Sequence, residues 1–357
     1  MNVNFTPGPS QLFYTVEDHA RHAFKNGITS LSHRSKEFEG IYASVKSGLT
    51  ELLGIPSDFH IFFTSSATEI WERSIQNLVD KNSAHFVNGA FSKRYFEIAT
   101  QLGKKVYKVE SPLGSGFNEA ITLPEPTELI ALTHNETSTG VSLPMGFVNS
   151  FRDKYPEALV VVDAVSSVPY PNFDFSKIDS VFFSVQKGFG LPAGLGVWIV
   201  NERCLAKADK ISKDGGSIGS YHSLPTLLAN GKKNQTPETP NVLGIYLLSK
   251  VLDDKNRRGI QIIRKETEYK AAILYQALET NGLVKPFVKD TSHRSQTVIV
   301  AECGSHTERI AKNLAKVGLF AGDGYGENKK TQLRFANFPT HSKEQFELLV
   351  DTLNSIS

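Results

Sequence analysis

Leu159-Val160-Val161-Val162-Asp163 is an unbroken apolar run closed by a carboxylate, and Phe182-Phe183-Ser184-Val185-Gln186-Lys187-Gly188 is a second such run closed by a lysine. Neither alternates polar with apolar residues, so both read as strands buried on two faces, as in a parallel sheet covered by helices. Working outward, short apolar runs at His60–Phe63, Ala84–Asn88, Lys105–Val109, Leu129–Thr133 and Gly196–Val200 read as further strands. Between them the apolar period lengthens to that of helices. Phe38, Ile41, Tyr42, Val45, Leu49 and Leu52 share a face that Gly54 and Pro56 end, and Ile70, Trp71, Ile75 and Leu78 share another. Helices are also expected over Phe91–Leu102 and Phe147–Lys154. From Asp253 the rhythm changes to one long helix reaching Asn281-Gly282, a strand at Thr297–Ala301, a helix stopped by Gly318, a strand at Leu333–Ala336 and a last amphipathic helix. The expectation is an α/β chain. A large domain over 12–252 carries a mixed, mostly parallel sheet flanked by helices, and a smaller α+β domain spans 253–357 with residues 1–11 beside it. The stretch Lys213–Asn241 is too polar and too long for an ordinary connection, which marks it as mobile or functional.

Composition excludes several classes. Of 357 residues 40% are hydrophobic and 21% charged, enough apolar material to offset chain entropy. Lys plus Arg number 39 against 37 for Asp plus Glu, and the resulting +2 is scattered, so neither nucleic acid nor an anionic membrane is an expected partner. No segment approaches the ~18 apolar residues of a membrane span, and the N-terminus lacks a basic region followed by an apolar one; a cytoplasmic protein is expected. Cys204 and Cys303 lie far apart and form no C-x-x-C pair, the histidines include no H-E-x-x-H, and His19 with His22 has no third ligand nearby. No disulfide and no metal site are expected.

The chemistry is sought at the carboxyl ends of the strands, where open α/β sheets bind ligands. Asp163 alone could be a helix cap. Lys187 alone could reach water from a strand end, although burying an ammonium is costly unless the group is used. Together they match what pyridoxal phosphate requires: a lysine for its Schiff base and a carboxylate that keeps the pyridine nitrogen protonated. The turn Ser65-Ser66-Ala67-Thr68 entering a helix offers backbone N–H groups to a phosphate. Phe91, after Asn88-Gly89-Ala90, could stack on the ring, and Thr137 could bond its phenolic oxygen. A nucleotide-hydrolase reading of the strand ending in Asp163 fails because no G-x-x-x-x-G-K-[ST] occurs.

These residues, with Ser32-His33-Arg34-Ser35-Lys36-Glu37-Phe38, His134-Asn135-Glu136-Thr137, Ser166-Ser167, Pro192-Ala193-Gly194 and the N-terminal Asn4-Phe5 and Gly8-Pro9, carry an end-to-end resemblance. The chain resembles the phosphoserine aminotransferases, of the class V group of fold-type I pyridoxal-phosphate enzymes. The resemblance implies that Lys187 is the Schiff-base lysine, that Asp163 pairs with the ring nitrogen, that Thr137 contacts the phenolic oxygen, and that Gln186, Ala67 and Thr68 serve the phosphate. It implies that Gln235 and Thr236 reach the phosphate of a neighbouring subunit, so that the active unit is a homodimer with shared sites. It further implies that Arg334 grips the substrate α-carboxylate, a task suited to a planar fork, and that His33 and Arg34 bind its distal acidic group. The substrates would be phosphoserine and 2-oxoglutarate, in L-serine biosynthesis.

The chain departs from that pattern at four places. Thr68 stands where the family has an arginine, Phe91 where it has a ring-stacking tryptophan, Glu327-Asn328 where it has a second His-Arg pair, and Pro7 where it has a serine. Stacking survives the second change, but the distal clamp is thinned. An aminotransferase for a small neutral amino acid, of serine–pyruvate or alanine–glyoxylate type, is the alternative. A cysteine desulfurase fits less well, since Gln186 precedes Lys187 where a histidine is usual; a non-catalytic binding protein would not need Lys187 and Asp163.

Overall fold

The computed structural model describes residues 2–117 and 120–356. Its centre is a seven-stranded sheet in the spatial order Phe59–Thr64, Gly196–Asn201, Ser180–Ser184, Leu159–Asp163, Leu129–Thr133, Asn82–Val87, Lys105–Glu110. Gly196–Asn201 alone runs antiparallel to both neighbours; the other pairings are parallel. The expected mixed, mostly parallel sheet is therefore present.

Residue alternation along these strands builds two cores. Val160, Val162, Val181, Phe183, Val197 and Ile199 face the helices Lys36–Leu53, Met145–Lys154 and Val242–Arg258. Their neighbours Leu159, Val161, Phe182, Trp198 and Val200 face Ala67–Leu78, Ala90–Gln101, Glu202–Lys213 and Leu224–Gly231. On the first face Gly48 lets two helices close, for a Cβ there would lie 2.9 Å from Leu252 Cβ.

The long helix expected from Asp253 is two helices, Val242–Arg258 and Ile260–Thr280, parted at Gly259, whose φ of +85° suits glycine. The first spans position 253, and its apolar face joins the large core as far as Leu252. The second packs with Thr307–Lys316 and Lys343–Ser355 on a five-stranded sheet ordered Val3–Phe5, Leu319–Asp323, Gln332–Ala336, Val298–Glu302, Lys285–Pro286. Val3–Phe5 pairs in parallel with Leu319–Ala321, which joins the chain's beginning to the smaller sheet. From there residues 7–9 run back to the large sheet, with Ser10 N–H donating to Gln186 O at 3.0 Å.

Candidate active site

Three adjacent strands of the large sheet end at one level, bringing Thr133, Asp163 and Ser184 to the mouth of one cavity of about 230 Å³. Ala67, Thr68, Phe91, Thr137, Gln186, Lys187 and Arg334 line the same cavity. The turn before helix Ala67–Leu78 is drawn in by the antiparallel strand, because Gly196 lies opposite both Thr64 and Ser184. A Cβ on Gly196 would sit 2.6 Å from the Ser66 carbonyl carbon, so this approach requires glycine. Ser66 caps the helix by accepting from Glu69 N–H at 3.1 Å, and Ala67 N–H donates to Ser184 Oγ at 2.7 Å.

Lys187 is 6% exposed and its Nζ donates to Thr137 Oγ1 at 3.1 Å. The Phe91 ring centroid lies 5.2 Å from that nitrogen. Burial pushes the Lys187 ammonium down from the usual lysine range, against the pull of the Asp163 carboxylate. Burial pushes Asp163 up; two donors, Val165 N–H on Oδ1 at 2.9 Å and Trp71 Nε1 on Oδ2 at 2.7 Å, work against this and favour the carboxylate. Thr137 Oγ1 donates in turn to Ser166 Oγ at 2.8 Å, which also accepts from Asn135 Nδ2 at 2.8 Å. Arg334 comes from the smaller sheet; its Nε donates to Asp323 O at 2.6 Å and its Nη1 to Thr137 O at 3.3 Å. Gly8 closes the cavity from the N-terminal side, so close that a Cβ would stand 2.8 Å from Lys187 Cε.

His33, Arg34, Gln235 and Thr236 are not among the cavity's lining residues. Arg34 Nη1 donates to Gln235 Oε1 at 2.8 Å and to Asn230 Oδ1 at 3.1 Å, Gln235 Nε2 to Glu39 Oε1 at 2.8 Å, and Thr236 Oγ1 to Glu238 O at 2.8 Å. The stretch from 213 to 241 is thus partly structured, by helix Leu224–Gly231 and by these bonds. Burial and the neighbouring Arg34 push His33 down.

Residues 2–325 match the aminotransferase class-V family. The chain belongs to that family. A phosphoserine aminotransferase from Cytophaga hutchinsonii is 50% identical, with a TM-score of 0.98 and coverage of 100% of this chain and 99% of that one. The phosphoserine aminotransferase of Rhodococcus opacus is 28% identical over 341 residues, 92% of this chain and 88% of the relative. An alanine–glyoxylate aminotransferase from Nostoc, 21% identical with a TM-score of 0.82 and coverage of 99% of this chain and 95% of that one, shares the fold. The chain is a fold-type I aminotransferase that depends on pyridoxal phosphate, and its cavity fits that group. Gln186 Oε1 and Asn135 Oδ1, on residues that line it, are buried without a hydrogen-bond partner among the described residues, and a lysine, a carboxylate, an aromatic face and a helix N-terminus converge there.

Trp71 and Tyr325 line the cavity without having been singled out from sequence. Trp71 reads as one more member of an apolar helical stripe; its place on the turn that follows Ala67-Thr68 is the available signal. Tyr325 sits in a polar loop with no pattern of its own.

Proposed function

We propose that the chain moves an amino group reversibly between O-phosphoserine and 2-oxoglutarate, running physiologically towards phosphoserine in L-serine biosynthesis, as a cytoplasmic homodimer with shared sites. The observation that carries this is the buried Lys187 amine, bonded to Thr137 in one cavity with Asp163 and Arg334. Bound there, the cofactor supplies an electron sink for the carbon that exchanges its amino group. Lys187 Nζ would hold the cofactor and would move the proton at the substrate Cα, a task suited to an amine whose basicity burial has lowered. Asp163 would keep a proton on the ring nitrogen, with Trp71 and Val165 holding Asp163 in place. Phe91 would support the ring, Thr137 would serve the phenolic oxygen, and Ala67, Thr68 and Gln186 would take the phosphate. Arg334 orients the α-carboxylate.

Arg34, His33, Gln235 and Thr236 complete the site of a second copy in this reading. The bond between Arg34 and Gln235, away from the chain's own cavity, supports it. Separate cores on the two sheets support a cofactor-binding unit over 12–252 and a smaller unit over 253–357 with residues 1–11 beside it. No helix among the described residues is long and apolar enough to cross a membrane.

A small neutral amino donor is the second reading, favoured by the lining of the cavity, where Lys187 and Arg334 are the only cationic side chains among the described residues. The two separate on the absorption spectrum of the holoenzyme. Conversion of the visible band to the amino form by O-phosphoserine and not by alanine or serine supports the first; conversion by alanine or serine alone overturns it.

A further inference from the structure

Tyr325 is 43% exposed, yet its ring is held among functional groups. The Arg334 guanidinium carbon lies 5.5 Å from its centroid, and the Phe91 ring lies 5.3 Å away, tilted by 51°. Among the described residues it is also the one that lines both the 230 Å³ cavity and an adjoining cleft of about 640 Å³, whose lining includes Asn88, Lys93, Glu110, Glu327 and Asn328. The loop fixes the ring. Gly326 has φ of +56°, Asn328 N–H donates to Tyr325 O at 3.1 Å, and a Cβ on Gly324 would stand 2.1 Å from Asn328 O. Arg334 spends Nε and Nη1 on the main-chain oxygens of Asp323 and Thr137, which leaves Nη2 for a ligand and the ring as support for the guanidinium face.

We propose that Tyr325 is a substrate-positioning residue whose ring keeps Arg334 ready for an α-carboxylate and closes the cofactor cavity against the adjoining cleft. This rests on the reading of Arg334 as the carboxylate-binding residue. The ring acts through Arg334 and not through the cofactor, so its removal should weaken carboxylate binding while leaving the cofactor in place.

Holoenzyme carrying Tyr325→Ala, Tyr325→Phe or Arg334→Lys tests this through three readouts: KM and kcat with O-phosphoserine, the dissociation constant of maleate, an unreactive dicarboxylate, by calorimetry, and the visible band of the bound cofactor. Tyr325→Ala should raise KM and the maleate constant about fivefold, the size expected for a partly exposed cation–π contact. Its kcat should stay within about threefold and its visible band should be unchanged, since the chemistry at Lys187 is not touched. Tyr325→Phe, which keeps the ring, should bring both constants back to within about threefold of wild type. Wild-type constants in Tyr325→Ala beside an impaired Arg334→Lys overturn the role of Tyr325, as does equal impairment of Tyr325→Phe and Tyr325→Ala, which would put the effect in the hydroxyl. Wild-type constants in Arg334→Lys overturn the reading of Arg334 itself.

Discussion

His222 offers the sharpest quantitative prediction. Its side chain is 2% exposed and lies between two carboxylates: Nδ1 bonds Glu69 Oε1, and Nε2 bonds Glu238 Oε2 at 3.0 Å. Glu69 in turn accepts from Ser65 N–H at 2.9 Å and Ser65 Oγ at 2.6 Å, while Glu238 O accepts from Thr236 Oγ1. A charged imidazole therefore ties the turn before helix Ala67–Leu78 to the segment bearing Gln235 and Thr236. Tyr221 stacks on it at 3.9 Å, and Arg73 Nε is 3.7 Å from Glu69 Oε1. Burial works against the charge, but the hydrogen bonds and charges of Glu238 and Glu69 prevail and raise His222 to about 9; Glu69 is pulled down to about 2. Removing one member of a buried ion pair costs ~3–5 kcal/mol. With Glu238 partly exposed and screened, His222→Gln should destabilise the fold by about 2–4 kcal/mol.

The effect should depend on pH in a definite sense. Because the folded protein holds the His222 proton more tightly than the unfolded chain, the stabilisation is complete below the ordinary histidine value of 6.5 and is lost as pH rises through about 9. The Glu69 contribution is complete above 4.5 and is lost as pH falls towards about 2. Urea unfolding of wild type and His222→Gln at matched pH reads the difference directly: large at pH 6, shrinking by pH 10. A difference below about 1 kcal/mol at pH 6, or one constant from pH 6 to pH 10, would refute the reasoning.

Other consequences concern the cavity. Lys187→Ala should abolish turnover while circular dichroism and melting stay near wild type, because the cavity can fill the vacated space with solvent; near-normal turnover counts against the assignment. Asp163→Asn keeps the shape but cannot hold a ring proton by charge, so kcat should fall by a factor on the order of 10³ or more in single-turnover assays. A loss under tenfold would show that Asp163 is structural. Gly8→Ala puts a methyl 2.8 Å from Lys187 Cε and should displace the amine, shifting the visible band and lowering kcat more than the cofactor affinity. An unchanged spectrum contradicts the packing described.

The sheet was legible because its inner strands bury both faces, and unbroken runs such as Leu129–Thr133 and Leu159–Asp163 have no helical reading at their length. Lys187 and Asp163 stood out for the same reason: charge at the end of a buried strand needs a cause. Gly259 was missed because the apolar period runs on through Ile260 and Ile263, so a single left-handed residue breaks a pattern that hydrophobicity leaves intact. The strand Leu319–Asp323 was missed because residues 320, 321 and 323 are not buried, and its pairing with Val3–Phe5 joins chain segments that no local pattern connects. The bond from Trp71 to Asp163 and the ring of Tyr325 over Arg334 are likewise long-range, set by how a helix and a loop meet the sheet.

Lys187 is the lysine expected to carry the cofactor. Borohydride reduction of the holoenzyme, proteolysis and mass spectrometry of the peptides test this most directly. Lys255 is the instructive competitor: it is 1% exposed, its Nζ has no hydrogen-bond partner among the described residues and lies 4.4 Å from the Phe13 ring, and burial lowers it to about 7. It is a buried amine of lowered basicity outside the cavity. The reduced adduct should appear on the peptide containing Lys187 and on no other; an adduct on Lys255, or on any lysine but Lys187, would contradict that role of Lys187.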